Sequence, residues 1–338
     1  MLRSFCIFCM LALASASAWG QGTAKPQAPA VKPAGAPARI VLFSQQQPQT
    51  LAFEMARERG FYKEEGLEVE FKYFASGTTA FQTFKTGEGD IVYSGDIPAM
   101  AYWADSGRNY RSVAVVERNA DGYGFVTKAE IKKGADLKGK TVATRVGSTG
   151  SHFAVSYLRK YGLDPGKDVQ IKNLEGPAMV SALDRGDIDG FFLWEPFPAR
   201  SLAISGNRVH RLATAKEVVS GYRSLIGARP GWIQADPGRL VRFLRASRKG
   251  QELAKNKEAM LGYLKTKFGL ERDAVERQYD VQEMLLAFDG AFYKDEGDIA
   301  RWMQSEGVLK SPMDWKSFAH LDALRKIDPK LAPEPPAR

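Results

Sequence analysis

The sequence is organised around the stretch Thr141-Val142-Ala143-Thr144-Arg145-Val146-Gly147-Ser148-Thr149-Gly150-Ser151-His152-Phe153. Its first six residues alternate as strand residues do, small residues then predict a turn, and a helical pattern runs from Phe153 to Tyr161. A strand that delivers such a turn to a helix start presents backbone N–H groups, hydroxyls and the positive end of a helix dipole together. The stretch therefore predicts a site for a small anion. The alternative is an ordinary capped helix in an α/β domain.

The first 38 residues have the composition of an export signal and a linker. Residues 1–18 contain a short apolar run followed by Ala16-Ser17-Ala18, which is typical of a secretory signal peptide and its cleavage site. Residues 19–38 are rich in Ala, Pro, Gln and Gly and predict a disordered linker. The cysteines are Cys6 and Cys9, so removal of the signal leaves no thiol for a disulfide, a nucleophile or a metal site. We expect a soluble protein of the periplasm.

The rest of the chain is long enough for two lobes, and its positive charge is scattered. The full sequence has 48 basic and 39 acidic residues, a formal net charge of +9. Four arginines between Arg239 and Arg248 follow one another at a spacing of three, which predicts a solvated helix face. The charge mildly favours acidic ligands, and no nucleic-acid partner is expected.

Two segments about a hundred residues apart share one succession of elements: a helix end, Gly-Asp-Ile, a strand, a polar turn and a Pro-led helix. The first runs from Lys85 to Pro98 and the second from Leu183 to Pro196. The repeat predicts an α/β fold with two pseudo-equivalent lobes. Strands that alternate with helices predict a mostly parallel sheet in each lobe, flanked by helices.

The same order of elements predicts how the chain is divided. Tyr123–Thr127 and Tyr222–Ile226 are interpreted as crossings between the lobes, and the chain after Asp236-Pro237 as helical and packed on lobe 1. The predicted parts are lobe 1 from residues 39–126, lobe 2 from 127–221, and a return to lobe 1 with C-terminal helices in 222–330.

Patterns that carry catalysis or bind metal are weak in this sequence. Gly134–Thr141 matches the phosphate-loop pattern, but polar residues precede it and a strand follows, the reverse of the order that ATP binding needs. His152 can pair with Ser148 at i, i+4, which leaves an exported enzyme as an alternative function. His210 and His320 are not spaced for zinc. We expect no catalytic residue, metal or cofactor.

The turns that follow the predicted strands form the candidate ligand site. Ligands of open α/β sheets bind beyond the carboxyl ends of the strands. Those turns are rich in hydroxyls, amides and Gly, with aromatic residues beside them, which is the mixture that lines small-molecule clefts. The candidate ligand-binding residues are Gln45, Gln46, Gln47, Gly77, Thr78, Ser94, Gly95, Asp96, Arg118, Asn119, Tyr123, Gly147, Ser148, Thr149, Gly150, Trp194 and Glu195.

Several segments in this order resemble one family. They are Glu58–Val69, Gly87–Ile91, Asp136–Ala143 leading into the central turn, Gly186–Gly190, and Trp194-Glu195-Pro196. Their combination resembles the nitrate/sulfonate/taurine-type substrate-binding proteins of ABC importers, which have the type II periplasmic-binding fold. The resemblance covers residues 40 to about 265.

The resemblance implies a ligand cleft between the lobes, which closes on a hinge. It implies delivery of the ligand to an ABC permease and ATPase in the inner membrane, and a monomeric protein without a cofactor. In that family Gly147-Ser148-Thr149 would hold the anionic group, and we expect Arg118 to be its charge partner. The aromatic residues at the cleft edge favour an organic sulfonate, a carboxylate or a heterocycle over nitrate.

Two alternatives stay open within the family. One is a binder of pyrimidine precursors, although the Cys-rich motif of the pyrimidine-synthesising relatives is absent. The other concerns Glu195, which either binds a ligand amine or caps the helix after Pro196, and we favour the cap.

Overall fold

The computed structural model describes residues 36–269 and 272–333. The predicted signal peptide, both cysteines and nearly all of the linker lie outside the described residues. None of the helices in the described ranges is long and apolar enough to cross a membrane.

Strands and helices alternate along most of the described chain. The strands are β1 (Ala38–Ser44), β2 (Leu67–Tyr73), β3 (Ile91–Gly95), β4 (Arg111–Asn119), β5 (Tyr123–Lys128), β6 (Thr141–Thr144), β7 (Gln170–Asn173), β8 (Gly190–Trp194), β9 (Val209–Thr214), β10 (Tyr222–Ala228) and β11 (Glu283–Ala287). The helices are α1 (Leu51–Glu58), α2 (Phe61–Glu64), α3 (Gly77–Phe84), α4 (Asp96–Asp105), α5 (Thr149–Lys160), α6 (Gly176–Arg185), α7 (Phe197–Ser205), α8 (Pro230–Ala235), α9 (Pro237–Ala254), α10 (Lys257–Phe268), α11 (Arg272–Val281), α12 (Phe292–Ser305), α13 (Trp315–Phe318) and α14 (Asp322–Ile327).

Two sheets organise these elements. The first has six strands in the order β11-β4-β10-β3-β1-β2, and the second has five in the order β7-β6-β8-β5-β9. β1 pairs in parallel with β2 and β3, and β6 pairs in parallel with β7 and β8. β10 runs antiparallel to β3 and β4, and β5 runs antiparallel to β8 and β9.

Both sheets are therefore mixed, whereas the sequence predicts mostly parallel sheets. The reason lies in the two crossings. A chain that leaves the carboxyl end of one sheet arrives at the same edge of the other, so the arriving strand must run away from that edge. β5 and β10 are these arriving strands, and β5 pairs wholly within the second sheet.

The central stretch folds as its pattern predicts, with one shift. β6 ends at Thr144, and α5 begins at Thr149 rather than at Phe153. The helix starts earlier because the hydroxyl oxygen of Ser148 accepts the N–H of Gly150 and caps it. The phosphate-loop match forms a short 3₁₀ helix over Gly134–Leu137 followed by β6, so the order is inverted as expected.

The C-terminal segment contains a strand that the sequence analysis misses. β11 pairs antiparallel with β4 and forms the edge of the first sheet. Its sequence is a short apolar run that periodicity alone cannot separate from a helix, so the prediction of helices to the end of the chain is wrong here. Its backbone pairing with β4 makes this segment a strand.

Close packing of α9 against α1 fixes the C-terminal helices on the first sheet. A Cβ atom on Gly250 of α9 would lie 2.1 Å from the carbonyl oxygen of Ala52 and 2.8 Å from Cβ of Ala56. Only Gly allows the two helix backbones to approach this closely. Gly262 on α10 faces open space and serves as a matched control.

We expect Gly250→Ala to destabilise the protein by about 1–3 kcal/mol, because overpacking must separate the two helices. Gly262→Ala should be neutral or stabilise it by up to about 1 kcal/mol through helix propensity. Urea unfolding of both variants measures the difference. Equal free energies of unfolding for the two variants would contradict the packing described.

Candidate functional site

A cavity lies where residues from both sheets meet at the edge that the two crossings share. The space between its lining atoms, part of which is open to solvent, is about 330 Å³. Residues after β1, β2, β3 and β6 line it together with residues of β5, β8 and β10. The lining residues are Gln45, Gln47, Gln49, Gly77, Gly95, Pro98, Tyr123, Ser148, Thr149, Trp194 and Ser224.

Three helices begin at this cavity. α3 starts at Gly77, α4 follows its N-cap Gly95, and α5 follows its N-cap Ser148. None of the described residues that line the cavity carries a charge. An anion in the cavity would therefore be stabilised by helix dipoles and by neutral N–H donors.

A fully buried carboxyl group, Asp96, lies directly behind the cavity. Its Oδ1 accepts hydrogen bonds from the N–H of Ile97 at 2.7 Å and from the hydroxyl of Thr149 at 3.2 Å. Its Oδ2 accepts the N–H of Arg223 at 2.9 Å. Burial raises the pKa of Asp96 to about 6, although these hydrogen bonds act to lower it. The bond to Thr149 joins the two sheets across the cavity.

On another side of the cavity the lining residues Gln49 and Ser224 lie in front of a second buried acid, Glu117. The hydroxyl of Ser224 donates to Oε1 of Glu117 at 3.0 Å. Glu117 is 1% exposed, and burial raises its pKa to about 8. Nearby, the Gln47 amide donates to the hydroxyl of Tyr93 at 2.7 Å.

Polar contacts between the sheets close the cavity on its other sides. The Ser76 hydroxyl donates to Oε1 of Glu175 at 3.2 Å, and Arg145 forms an ion pair with the same carboxylate oxygen at 2.8 Å. Nδ1 of His152 and the hydroxyl of Tyr222 are hydrogen-bonded at 2.6 Å. Ser76 and Tyr222 belong to the first sheet and its helices, so these contacts describe a closed cleft.

The structure brings eight of the seventeen candidate residues into the cavity. They are Gln45, Gln47, Gly77, Gly95, Tyr123, Ser148, Thr149 and Trp194. Three further lining residues, Gln49, Pro98 and Ser224, were not among the candidates. Ser224 lies near the start of β10, so a rule that looks only at the carboxyl ends of strands passes over it.

The other candidates lie beside or behind the cavity. Gln46 faces a neighbouring space of about 790 Å³, and Thr78 and Gly147 line another of about 710 Å³. Asp96 is behind the wall, Oδ1 of Asn119 accepts the N–H of Gly122, and the Ser94 hydroxyl donates to the carbonyl of Gly95. The N–H of Gly150 is used in capping α5.

Arg118 does not lie in the cavity, so the structure corrects its expected role as charge partner of the ligand. Its guanidinium forms ion pairs with Asp295 at 3.4 Å and Glu283 at 3.7 Å, and it donates to the carbonyl of Ser220. Strand alternation explains this placement, because Glu117 faces the cavity side and its neighbour on β4 points to the opposite face.

Both carboxylate oxygens of Glu195 have partners within the protein. Its Oε2 accepts the N–H of Ala199 at 3.0 Å, inside the first turn of α7, and its Oε1 pairs with Arg211. It therefore acts as a helix cap, the alternative that the sequence analysis favours, and not as a group that faces a ligand amine.

The hydrogen bond between Ser148 and His152 on which a hydrolase would depend is not formed. The Ser148 hydroxyl donates to the carbonyl of Arg145 at 2.6 Å, whereas His152 bonds to Tyr222 and Ser156. Burial lowers the pKa of His152 to about 4, which makes it a poor base at neutral pH. The described residues contain no group of three or more His, Cys, Asp and Glu able to hold a metal ion.

A family model described as NMT1/THI5 like matches residues 47–276. The Taurine-binding periplasmic protein of Escherichia coli (strain K12) is 32% identical over 136 residues, which are 40% of this chain and 42% of that relative. The match therefore spans less than half the length of that relative.

Solved structures share the fold over most of the chain. The alkanesulfonate-binding protein SsuA from Xanthomonas axonopodis pv. citri, bound to MOPS, has a TM-score of 0.69 at 19% identity and covers 82% of this chain and 96% of that one. A DSZB variant in complex with biphenyl-2-sulfinic acid has a TM-score of 0.66 at 15% identity, covering 86% and 98%. The predicted type II periplasmic-binding fold and the resemblance are confirmed.

Burial of Glu117 predicts a pH dependence of stability. Its pKa is about 8 in the folded protein and near the ordinary value of 4.5 when unfolded, so the folded state holds the proton more tightly. Its contribution is fully favourable below pH 4.5 and is lost as the pH rises to about 8. The free energy of unfolding, measured relative to Glu117→Gln, should fall by about 3–5 kcal/mol over this range. The exposed control Glu130→Gln should show no such trend, and a flat difference for Glu117→Gln would contradict the burial.

Arg118 and Arg223 both pair with acidic residues of the C-terminal segment but should differ in their effect on stability. Arg223 is fully buried and pairs with Asp289, Asp295 and Glu296, so Arg223→Met leaves the buried Glu296 without its cation and should cost about 3–5 kcal/mol. Arg118 is 31% exposed, and Arg118→Met should cost no more than about 1 kcal/mol. Urea unfolding of both variants at pH 7 measures the two losses in free energy of unfolding. Similar losses for both variants would contradict the difference in burial of the two arginines.

Proposed function

Because the chain belongs to the NMT1/THI5-like family, we propose that it is the substrate-binding component of an ABC importer and captures a small organic anion, most simply a sulfonate. The observation that carries this proposal is an uncharged cavity at which three helices begin. Similar proteins add support, since one is a taurine-binding and another an alkanesulfonate-binding protein.

The geometry favours an anion that is bound by several weak contributions. A helix N-terminus contributes about 0.3–2 kcal/mol to the binding of a charge, whereas micromolar affinity requires about 8 kcal/mol. Three helix N-termini and the glutamine amides that line the cavity together reach this magnitude, whereas the Ser148 and Thr149 hydroxyls already donate to the Arg145 carbonyl and to Asp96. Tyr123 and Trp194 supply an apolar wall for the organic part of the ligand.

We propose that binding closes one lobe, built around the first sheet, on the other. In the closed form Thr149 donates to Asp96 and Ser76 donates to Glu175, so both lobes gain contacts as the ligand is enclosed. The crossings next to Tyr123 and Tyr222 are the natural hinge, because the covalent connections between the sheets pass there. We propose that the lobe boundaries lie beside these crossings, near residues 126 and 221.

The proposed partners and location follow from the family. The importer would consist of a permease and an ATPase in the inner membrane, and the chain would act in the periplasm as a monomer after removal of residues 1–18. We propose binding without catalysis, because Ser148 and His152 are each held by other partners. A pyrimidine-precursor ligand is the second candidate, which the neutral amide lining of the cavity would also accept.

The experiment is a thermal-shift screen of the protein from Gln21 with ethanesulfonate, taurine, propionate, nitrate, sulfate and uracil. We expect a sulfonate to raise the midpoint, because a ligand that binds only the native state stabilises it by mass action. The ligand should be recovered chemically unchanged. A shift with uracil alone would instead support the second candidate, and turnover of any ligand would contradict the proposal.

Gly95→Ala tests in the same screen whether binding needs closure of the cavity, and Gly231→Ala is its control. A Cβ atom on Gly95 would lie 2.5 Å from Oγ1 of Thr149, so the variant should fold but close poorly. We expect its affinity for the hit to fall about 5- to 150-fold, corresponding to about 1–3 kcal/mol of overpacking. Gly231→Ala, at a position with open space around it, should bind as the unmodified protein does.

A further inference from the structure

We propose that α12, together with its C-cap residue Glu306, is a strap between the lobes that biases the cleft toward the closed form. One end of the strap is fixed on the first sheet, and the other end holds α5, whose N-terminus lies at the cavity. Trp302 and Glu306 are then positioning residues that control the affinity of the site without touching a ligand. The inference rests on the proposed closure of the cleft and names the residues that regulate it.

The N-terminal half of the strap is fixed to the first sheet by ion pairs. Asp295 pairs with Arg223 of β10 at 3.0 Å and with Arg118 of β4 at 3.4 Å, and Glu296 pairs with Arg223 at 3.4 Å. Arg223 and Glu296 are both buried, and a buried ion pair is costly to break because each partner leaves the other charge uncompensated. This half of α12 therefore moves with the first lobe.

The other end of the strap contacts α5 of the second lobe at two places. The ring of Trp302 meets the ring of His152 edge to face, with 4.3 Å between the ring centroids, and the carboxylate of Glu306 pairs with Arg159 at 2.7 Å. Trp302 and Glu306 are four residues apart and lie on one face of the strap. His152 and Arg159 are seven residues apart, about 10 Å along one face of α5. Two contacts at this separation fix the direction of α5 relative to the strap.

The effect of the strap reaches the cavity through the start of α5. None of the four residues in these two contacts belongs to the described residues that line the cavity. Thr149, in the first turn of α5, does line the cavity and donates to Asp96 of the first lobe. His152 follows three residues later on the same side of the helix. A movement of α5 away from the strap therefore separates Thr149 from Asp96 and withdraws the N-terminus of α5 from the ligand.

The test measures the distance between the lobes by double electron–electron resonance. The protein from Gln21 contains no cysteine, so spin labels attach only to Lys85→Cys at the end of α3 and Ala178→Cys on α6, which are exposed positions of the two lobes. Without added ligand, Glu306→Arg should lower the population of the closed-form distance about 2- to 5-fold, the range for an exposed ion pair. Trp302→Leu should lower it about 3- to 10-fold through loss of the ring contact.

A rescue variant and two matched controls separate positioning from a general loss of stability. Arg159→Glu combined with Glu306→Arg restores a pair of opposite charges at the same two positions and should restore the closed-form population. Glu258→Arg breaks an exposed ion pair with Arg272 inside the C-terminal helices. Trp232→Leu removes another partly buried tryptophan, on α8. Neither control touches a contact between the lobes, so neither should change the distance.

The outcomes separate this inference from the proposed function. An unchanged distance distribution in both Glu306→Arg and Trp302→Leu overturns the strap, and so does an equal change in the controls or a failure of the reversed pair to restore the distance. Addition of ethanesulfonate to the unmodified, labelled protein tests closure on a ligand. If neither ethanesulfonate nor any compound of the thermal-shift screen raises the closed-form population, the proposed function fails, whereas the ligand-free distances still decide the strap.

Discussion

The Asp96 carboxyl group connects the three parts of the chain that must meet for the cavity to exist. It accepts the N–H of Ile97 at the start of α4, the N–H of Arg223 in the returning strand, and the hydroxyl of Thr149 in the first turn of α5. These groups come from the first sheet, from the return crossing and from the second sheet. Burying a carboxyl group raises its pKa and costs free energy, so its retention requires all three partners.

Arg223 extends this connection to the C-terminal segment. Its backbone holds Asp96, while its buried side chain pairs with Asp289, Asp295 and Glu296 around α12. The same residue thus ties the cavity wall to helices far along the chain. The Arg223 side chain near the return crossing is therefore paired within the protein and does not face the cavity. The net positive charge of the sequence is accordingly absent from the described residues that line the cavity.

Patterns of local sequence predict much of the fold. The strands, the turn before α5 and the repeated Gly-Asp-Ile units follow from periodicity and small residues, which are local properties. β11 and the antiparallel direction of β5 and β10 do not, because strand pairing and direction are decided by which edges the chain reaches. At the candidate site, the rule that ligands bind beyond the carboxyl ends of strands identifies Ser148 and Thr149. It misses Ser224, which lies on an antiparallel strand.

Arg118 and Glu117 show where charge alone misleads. A cation is the obvious partner for an anion, so sequence reasoning selects Arg118, but the alternation of β4 directs it to Asp295 of α12 and directs Glu117 toward the cavity. Sequence cannot show which of two adjacent charges faces inward when both faces of a strand are covered.

The two buried acids behind the cavity respond to a ligand in opposite ways. An anion near Thr149 repels the ionised form of Asp96 and favours uptake of a proton there, so binding of a plain anion weakens as the pH rises past about 6. A cation near Ser224 favours the ionised form of Glu117, so its binding strengthens as the pH rises toward about 8. The direction in which affinity changes with pH would therefore distinguish an anion near Thr149 from a cation near Ser224.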